Sequence, residues 1–210
     1  NIEDSSEATK KSEGKKQEYK CLPICTPNYP NLTTTTDTTC ATNLMVALDC
    51  EMIKCEDNLT MLARVSLIDS SGAPLVDVFV LPVGPVTDYV TLYSGITPDD
   101  LKPLTTTKPL VSFEDAQNII LSFISQDTFV VGHGLENDFH ALQIIHDRVL
   151  DTTFLYPHQQ NTVKTSTRRI CHSLRHLAQQ HLQMTIQKHG NDGHDSVEDA
   201  LASLYLCAKK

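Results

Sequence analysis

Five side chains in this sequence could act on one substrate together: Asp49, Glu51, Asp138, Asp199 and His194. Asp49 and Glu51 close the segment LMVALDCEM, where a mostly apolar run turns acidic. Residues two apart on a strand point to one face, so these carboxylates converge. Held together they repel, and a hard divalent cation that prefers oxygen ligands relieves them. Two rim acids facing water are the simpler alternative. Asp138 follows an apolar run in VVGHGLENDFHAL, and Asp199 falls in GHDSVEDAL. Each suits the first turn of a helix, where an acid complements the dipole. Four acids in one cleft call for about two divalent cations, which can clamp the attacking and leaving oxygens of a phosphoryl transfer ~3.5–4 Å apart. His194, in the glycine-containing stretch HGNDGHD, titrates in the range a general base needs. His133, His140 and His189 compete for that role, and Asp151 in VLDTT competes for the fourth acid position.

The elements that must bring these residues together can be read from periodicity. Residues 44–49 form a short apolar strand of the kind buried on both faces. Strands over 62–69 and 74–81 follow, joined by the turn Ser70-Ser71-Gly72. The segment from Thr97 reads as a helix start, with Pro98 at the first position and Asp100 in the capping-box place. Ser112 to Ser125 reads as a helix, 128–133 as a strand, Glu136 to His146 as a helix, and 148–151 as a strand. A helix around Leu174–Leu182 and a last one over Ser196–Ala208 complete the string. The order β-β-β-α-β-α-β-α-α predicts an α/β domain with a mixed sheet of five strands flanked by helices. Crossover helices starting at one sheet edge would gather Asp49, Glu51, Asp138 and Asp199 there.

The remaining features set limits. The 210 residues are 40% apolar and 20% charged, as in ordinary globular domains. No run approaches 18 apolar residues, so no helical membrane span is expected. The sequence opens on Asn1 with no signal-peptide pattern and reads as a portion of something longer. Residues 1–43 are polar, then Pro- and Thr-rich, and are expected to be a disordered or irregular lead-in to a domain over 44–210. Net charge is −9, concentrated as −11 over residues 44–160, while residues 161–210 carry +3. A nucleic-acid binder relying on its own charge would be basic, so a polyanion would be met here through bound cations. The basic tail, with Lys164, Arg168, Arg169, Arg175 and Lys188, is the candidate track for a strand. Phe139, Phe154 and Tyr156 are candidates for base stacking, Phe139 fitting the core better. Seven cysteines without framework spacing suit reduced thiols. Zinc at Cys21 and Cys25 with Cys50 and Cys55, or with His172 and His176, lacks the spacing of tight knuckles.

These motifs resemble the DEDD exonucleases, in the branch with a histidine in its third motif, and within it the Rex-type RNA exonucleases. The resemblance lies in ALDCEM (47–52), ARVSLID (63–69), YSGIT (93–97), VVGHGLENDFHALQIIH (130–146), VLDTTFLYPH (149–158), SLRHLAQQHL (173–182) and GHDSVEDA (193–200). It implies a ribonuclease-H-like fold and 3′-5′ hydrolysis of single-stranded RNA, or RNA tails, to nucleoside 5′-monophosphates. It implies two divalent cations, Mg²⁺ or Mn²⁺. Asp49, Glu51 and Asp199 would hold one, Asp49 would bridge to the second, Asp138 would act nearby, and His194 would be the general base. Tyr93, Ser94 and Gly95 would lie beside the terminal nucleotide and Leu135 near its base. Relatives of this kind process RNA, often in the nucleus. Two positions depart from the pattern: Gly134 replaces a usual Ser, which would loosen its loop, and Met61 replaces a common Glu, which removes a salt bridge to Arg64. A non-catalytic nucleic-acid-binding or assembly module, a structure-specific endonuclease and a DNA-directed exonuclease of the same fold are the rival readings.

Overall fold

The computed structural model describes residues 43–158, 170–187 and 193–210. The expected lead-in over 1–43, apart from Asn43, lies outside them, as do Lys164, Arg168, Arg169, Lys188 and His189. Strand β1 (Met45–Cys55) pairs antiparallel with β2 (Thr60–Asp69) around one 3-10 turn at Glu56–Asn58. A turn pinned by Asp69, whose Oδ1 accepts from the Ser71 and Ala73 amides, leads to β3 (Pro74–Val80). The short β4 (Val86–Asp88) pairs with the end of β1, and one helical turn, α1 (Thr91–Ser94), follows. Then come β5 (Leu110–Val111), α2 (Phe113–Phe123), β6 (Phe129–Gly132), α3 (Leu135–Leu142), β7 (Val149–Asp151) and α4 (Thr152–Leu155). Helix α5 (Leu174–Leu177) widens into a π turn at Ala178–Leu182, and α6 (Ser196–Lys209) closes the described chain.

The seven strands form one sheet in the order β5-β3-β2-β1-β6-β7, with β4 on β1. The expected mixed α/β sheet is therefore present, with two strands more than the five read from periodicity. Strands of two and three residues, such as β5 and β4, are too short to show alternation. Leu48 and Cys50 pack with Ile120, Leu135 and Leu142 against α2 and α3, while Ala47 packs with Ala200 and Leu204 of α6. By alternation Asp49 lies on the α6 face of the sheet, opposite to Leu48.

Three departures from the sequence reading bear on the site. β1 does not stop at Asp49 but runs on to Cys55, so both acids sit inside the strand. The segment from Thr97 forms successive turns, although Asp100 caps the Thr97 amide at 2.8 Å as expected. Pro103 lacks the N–H and shape needed inside a helix, so the start is not propagated. Helix α3 ends at Leu142, where Gln143 turns left-handed (φ 53°) and donates to the His140 and Phe139 carbonyls. Helix α2 begins as read: Ser112 Oγ accepts from the Asp115 amide.

Candidate active site

The site begins at a break in sheet pairing. Along one edge β1 pairs with β6 only from Met45 to Ala47, and with β4 only at Lys54 and Cys55. Between them the Cys50 N–H has no strand partner and donates to Asp138 Oδ1 at 2.9 Å. Asp138 belongs to the first turn of α3, yet it is 5% exposed and aimed at β1 rather than at water. Its carboxyl is pushed up to about 7, burial outweighing the hydrogen bonds from Cys50.

The fourth acid arrives from the other strand edge. Ser66 stands opposite Asp49 in the β1–β2 register, and its hydroxyl lies 2.6 Å from that of buried Ser196. That contact seats the start of α6 over the Asp49 pair. Asp195 caps the helix, accepting from the Val197 and Glu198 amides, and Asp199 follows within the first turn. Asp199 is 3% exposed, and Gln187 Nε2 donates to its Oδ2 at 2.9 Å.

The four acids feel one another. Burial, then the charges of Asp138, Glu51 and Asp199, hold the Asp49 carboxyl well above its ordinary range. Glu51 is pushed up to about 9 by burial and by Asp199, against the opposing charge of Arg64. Asp199 is pushed up to about 7, again chiefly by burial. Among the described residues, two buried carboxylate oxygens, Glu51 Oε1 and Asp199 Oδ1, have no hydrogen-bond partner. Buried polar atoms are ordinarily satisfied, and unpaired acid oxygens among like charges suit a hard cation. Among the described residues no three His, Cys, Asp or Glu side chains form a ready-made metal cage. The acids are thus a neighbourhood that a cation can draw in.

His194 sits at the mouth. Its amide donates to the Tyr93 carbonyl at 2.9 Å, and the two rings meet edge to face at 6.4 Å. Its Nδ1 lies 3.7 Å from Asp199 Oδ2, and burial holds its pKa below the ordinary imidazole value. The neighbouring Gly193, at φ +73°, lies so close to α1 that an added Cβ would stand 2.2 Å from the Gly95 nitrogen and 2.3 Å from the Thr91 carbonyl. Gly193→Ala is therefore expected to push His194 off its seat and lower the rate by about 100-fold, with circular dichroism unchanged. An unaltered rate would show that this contact does not position the histidine.

Other expected residues take different places. Leu135 is 1% exposed in the core, so its side chain offers a terminal base no surface. Ser94 is also buried, its hydroxyl donating to the Tyr89 carbonyl and accepting from the Ile96 amide. Gly95 caps α1 in a left-handed turn. Tyr93, 66% exposed, and Arg175, exposed on α5, remain open to a ligand. Tyr156 is tied to the last helix through the Leu206 carbonyl, and Phe139 packs on the core. Asp151, the rival fourth acid, accepts from the Gly134, Leu135 and Thr153 amides and holds local backbone. Those bonds, with Gly134 at φ +74°, pin the loop that a glycine was expected to loosen. His133 Nδ1 lies 2.8 Å from Thr152 Oγ1 in a structural contact.

Two participants were missed. Arg64, opposite Glu51 in register, is buried and paired with Asp77 at 2.8 Å and Asp195 at 3.5 Å, so the Met61 departure leaves it with acid partners. Its position in the apolar ARVSLID strand was visible, but its reach to Asp195 was not. Gln187 lay in no recognised motif.

Residues 46–207 match the model of the family described as exonuclease, RNase_T, and the chain belongs to that family. Exonuclease domains of this family generally depend on divalent metal ions. The chain is 42% identical over 164 residues to RNA exonuclease 3 of Yarrowia lipolytica, covering 76% of this chain and 20% of that protein. It is 39% identical to the human RNA exonuclease 1 homolog, over 76% of this chain and 12% of the relative. The chain thus spans a fifth or less of the length of these two curated relatives. Among solved structures, the Pan2 catalytic unit of Neurospora crassa superposes with a TM-score of 0.72 at 30% identity, over 89% of this chain and 31% of that one. The Saccharomyces cerevisiae Pan2 module in complex with AAGGAA RNA gives 0.70 at 32% identity, over 83% and 30% of the respective chains. These neighbours carry the ribonuclease-H-like exonuclease fold. Among the described residues no helix is long and apolar enough to cross a membrane.

Proposed function

We propose that residues 44–210 form an exonuclease domain that removes nucleotides one at a time from the 3′ end of single-stranded RNA, releasing nucleoside 5′-monophosphates. The observation that carries this reading is the pair of buried, unpartnered oxygens on Glu51 and Asp199, set among mutually repelling acids and beside His194. Kinship with RNA exonucleases, and the RNA held by a Pan2 neighbour, support RNA as the strand.

Asp49, Glu51 and Asp199 would hold one divalent cation, with Asp49 shared with a second and Asp138 close by. Bound Mg²⁺ or Mn²⁺ supplies charge neutralisation at the phosphate and lowers the pKa of water. Everything else falls to the chain. His194, kept neutral by burial, accepts the proton of the attacking water through the ring nitrogen turned away from Asp199. Exposed Tyr93 borders the terminal nucleotide and, through its carbonyl, fixes the His194 backbone. Asp138 braces the free edge of β1 while facing the same acids. Arg175, with Lys164, Arg168 and Arg169, is the proposed basic track for upstream phosphates. Kinship with the RNA exonucleases supports a role in RNA processing, and the nucleus is the proposed setting for it.

A 5′-labelled RNA strand incubated with the protein and Mg²⁺ or Mn²⁺ tests the reading. A ladder of strands shortened from the 3′ end is expected, abolished by chelator and stalled by a blocked 3′ end. Internal cuts in the blocked strand would point to an endonuclease, and equal shortening of DNA would remove RNA selectivity. Binding without turnover under either ion would leave a recruitment module.

A further inference from the structure

We infer that Gln187 is a positioning residue that presents one oxygen of Asp199 to a divalent cation, an inference that rests on the cation-dependent reading of the site. Gln187 follows Ile186, which is buried with Leu174, Leu177, Ala202 and Leu206 between α5 and α6. Its backbone is left-handed, φ 55°, a conformation that is unfavourable for a residue with a Cβ. That turn lets one residue serve two neighbouring acids. Its amide N–H donates to Glu198 Oε2 at 2.8 Å, and its side-chain Nε2 donates to Asp199 Oδ2 at 2.9 Å.

The start of α6 does not need either bond, because Asp195 already caps it. What the bonds do is divide the acids. Glu198 is held at the Gln187 backbone, and Asp199 has one oxygen occupied while Oδ1 stays buried without a partner among the described residues. Oδ1 is then the atom left for a cation. The same amide competes for Oδ2, and His194 Nδ1 stands 3.7 Å away, outside hydrogen-bond distance. One side chain therefore keeps the ligand and the base apart. Hydrogen bonds of this kind, which orient a ligating carboxylate, typically govern metal affinity by about 10–100-fold.

Gln187→Met keeps the length of the side chain and removes its donor. Mn²⁺ titration of the RNA-free protein, followed by electron paramagnetic resonance, should show a dissociation constant raised about 10–100-fold. The metal-free melting temperature should stay near that of the unaltered chain, and RNA shortening should recover at saturating Mn²⁺. Gln187→Ala repeats the measurement if the thioether packs badly. Unaltered Mn²⁺ affinity in both variants, with or without a fall in melting temperature, overturns the inference. If the affinities separate as expected but no chain shortens RNA, the substrate reading fails and the role of Gln187 stands. If the unaltered chain binds no Mn²⁺, both fall.

Discussion

Asp49→Asn should melt at a higher temperature than the unaltered chain in chelator, and should no longer shorten RNA. The two effects have one cause. Burial, and then the charges of Asp138, Glu51 and Asp199, raise the Asp49 carboxyl pKa, so its charge is destabilising unless a cation is bound. One unit of pKa shift corresponds to ~1.4 kcal/mol, and each kcal/mol moves the melting temperature of a domain this size by about 2–4 °C. The sign over pH follows. Carboxyls with raised native pKa values contribute stability below their unfolded values near ~4 and lose it as pH rises through the native ones. With Asp138 and Asp199 at about 7 and Glu51 at about 9, the metal-free melting temperature should fall steadily from about pH 4 to 9. Added Mn²⁺ should flatten that slope, and Asp49→Asn should reduce it. A metal-free chain that gains stability over this range would contradict the converging acids. So would an Asp49→Asn variant that still trims at the original rate.

His194→Ala should leave the melting curve and Mn²⁺ binding nearly unchanged while reducing turnover by about 10²–10⁴-fold, the usual contribution of a positioned base. The imidazole is partly open to solvent, and its main tie to the fold is a backbone bond to Tyr93, which alanine keeps. Because burial lowers its pKa, His194 stays neutral to a more acidic pH than a free imidazole, so the acid limb of the rate profile should lie below the ordinary histidine value. At saturating Mn²⁺, where the acids are held ionised, that limb should vanish in His194→Ala. A variant with the full rate and the original limb would pass the role of base to another group, and exposed His140 would be the first to test.

How much of this was legible in the sequence depends on the range of the interaction. The acids and His194 were legible because motif residues in a strand, a helix start and a glycine loop carry local signals. The strand–helix order was legible for the same reason. Asp49 and Glu51 were placed at a strand end because acids interrupt an apolar run, while β1 continues through them by pairing with β2 and β4. Leu135 was expected beside a base, but the turn at Gly134 folds it under α3 into the core. Arg64 and Gln187 could not be assigned, since their partners Asp195 and Asp199 are far away or across a loop and only the fold brings them near. The Asp151 ambiguity was also resolved by contacts reaching back 16 residues to Leu135.

The short gap in the pairing of β1 has a further consequence. An unpaired strand edge invites addition of a foreign strand, the route by which sheets of separate molecules join. Here the vacancy is framed by β6 and β4, and Asp138 already holds the Cys50 amide inside it. Buried charge facing an edge is one of the devices by which natural sheets discourage such growth. The acid that fills the break therefore also guards the seam, so this gap in pairing does not become a point of self-assembly.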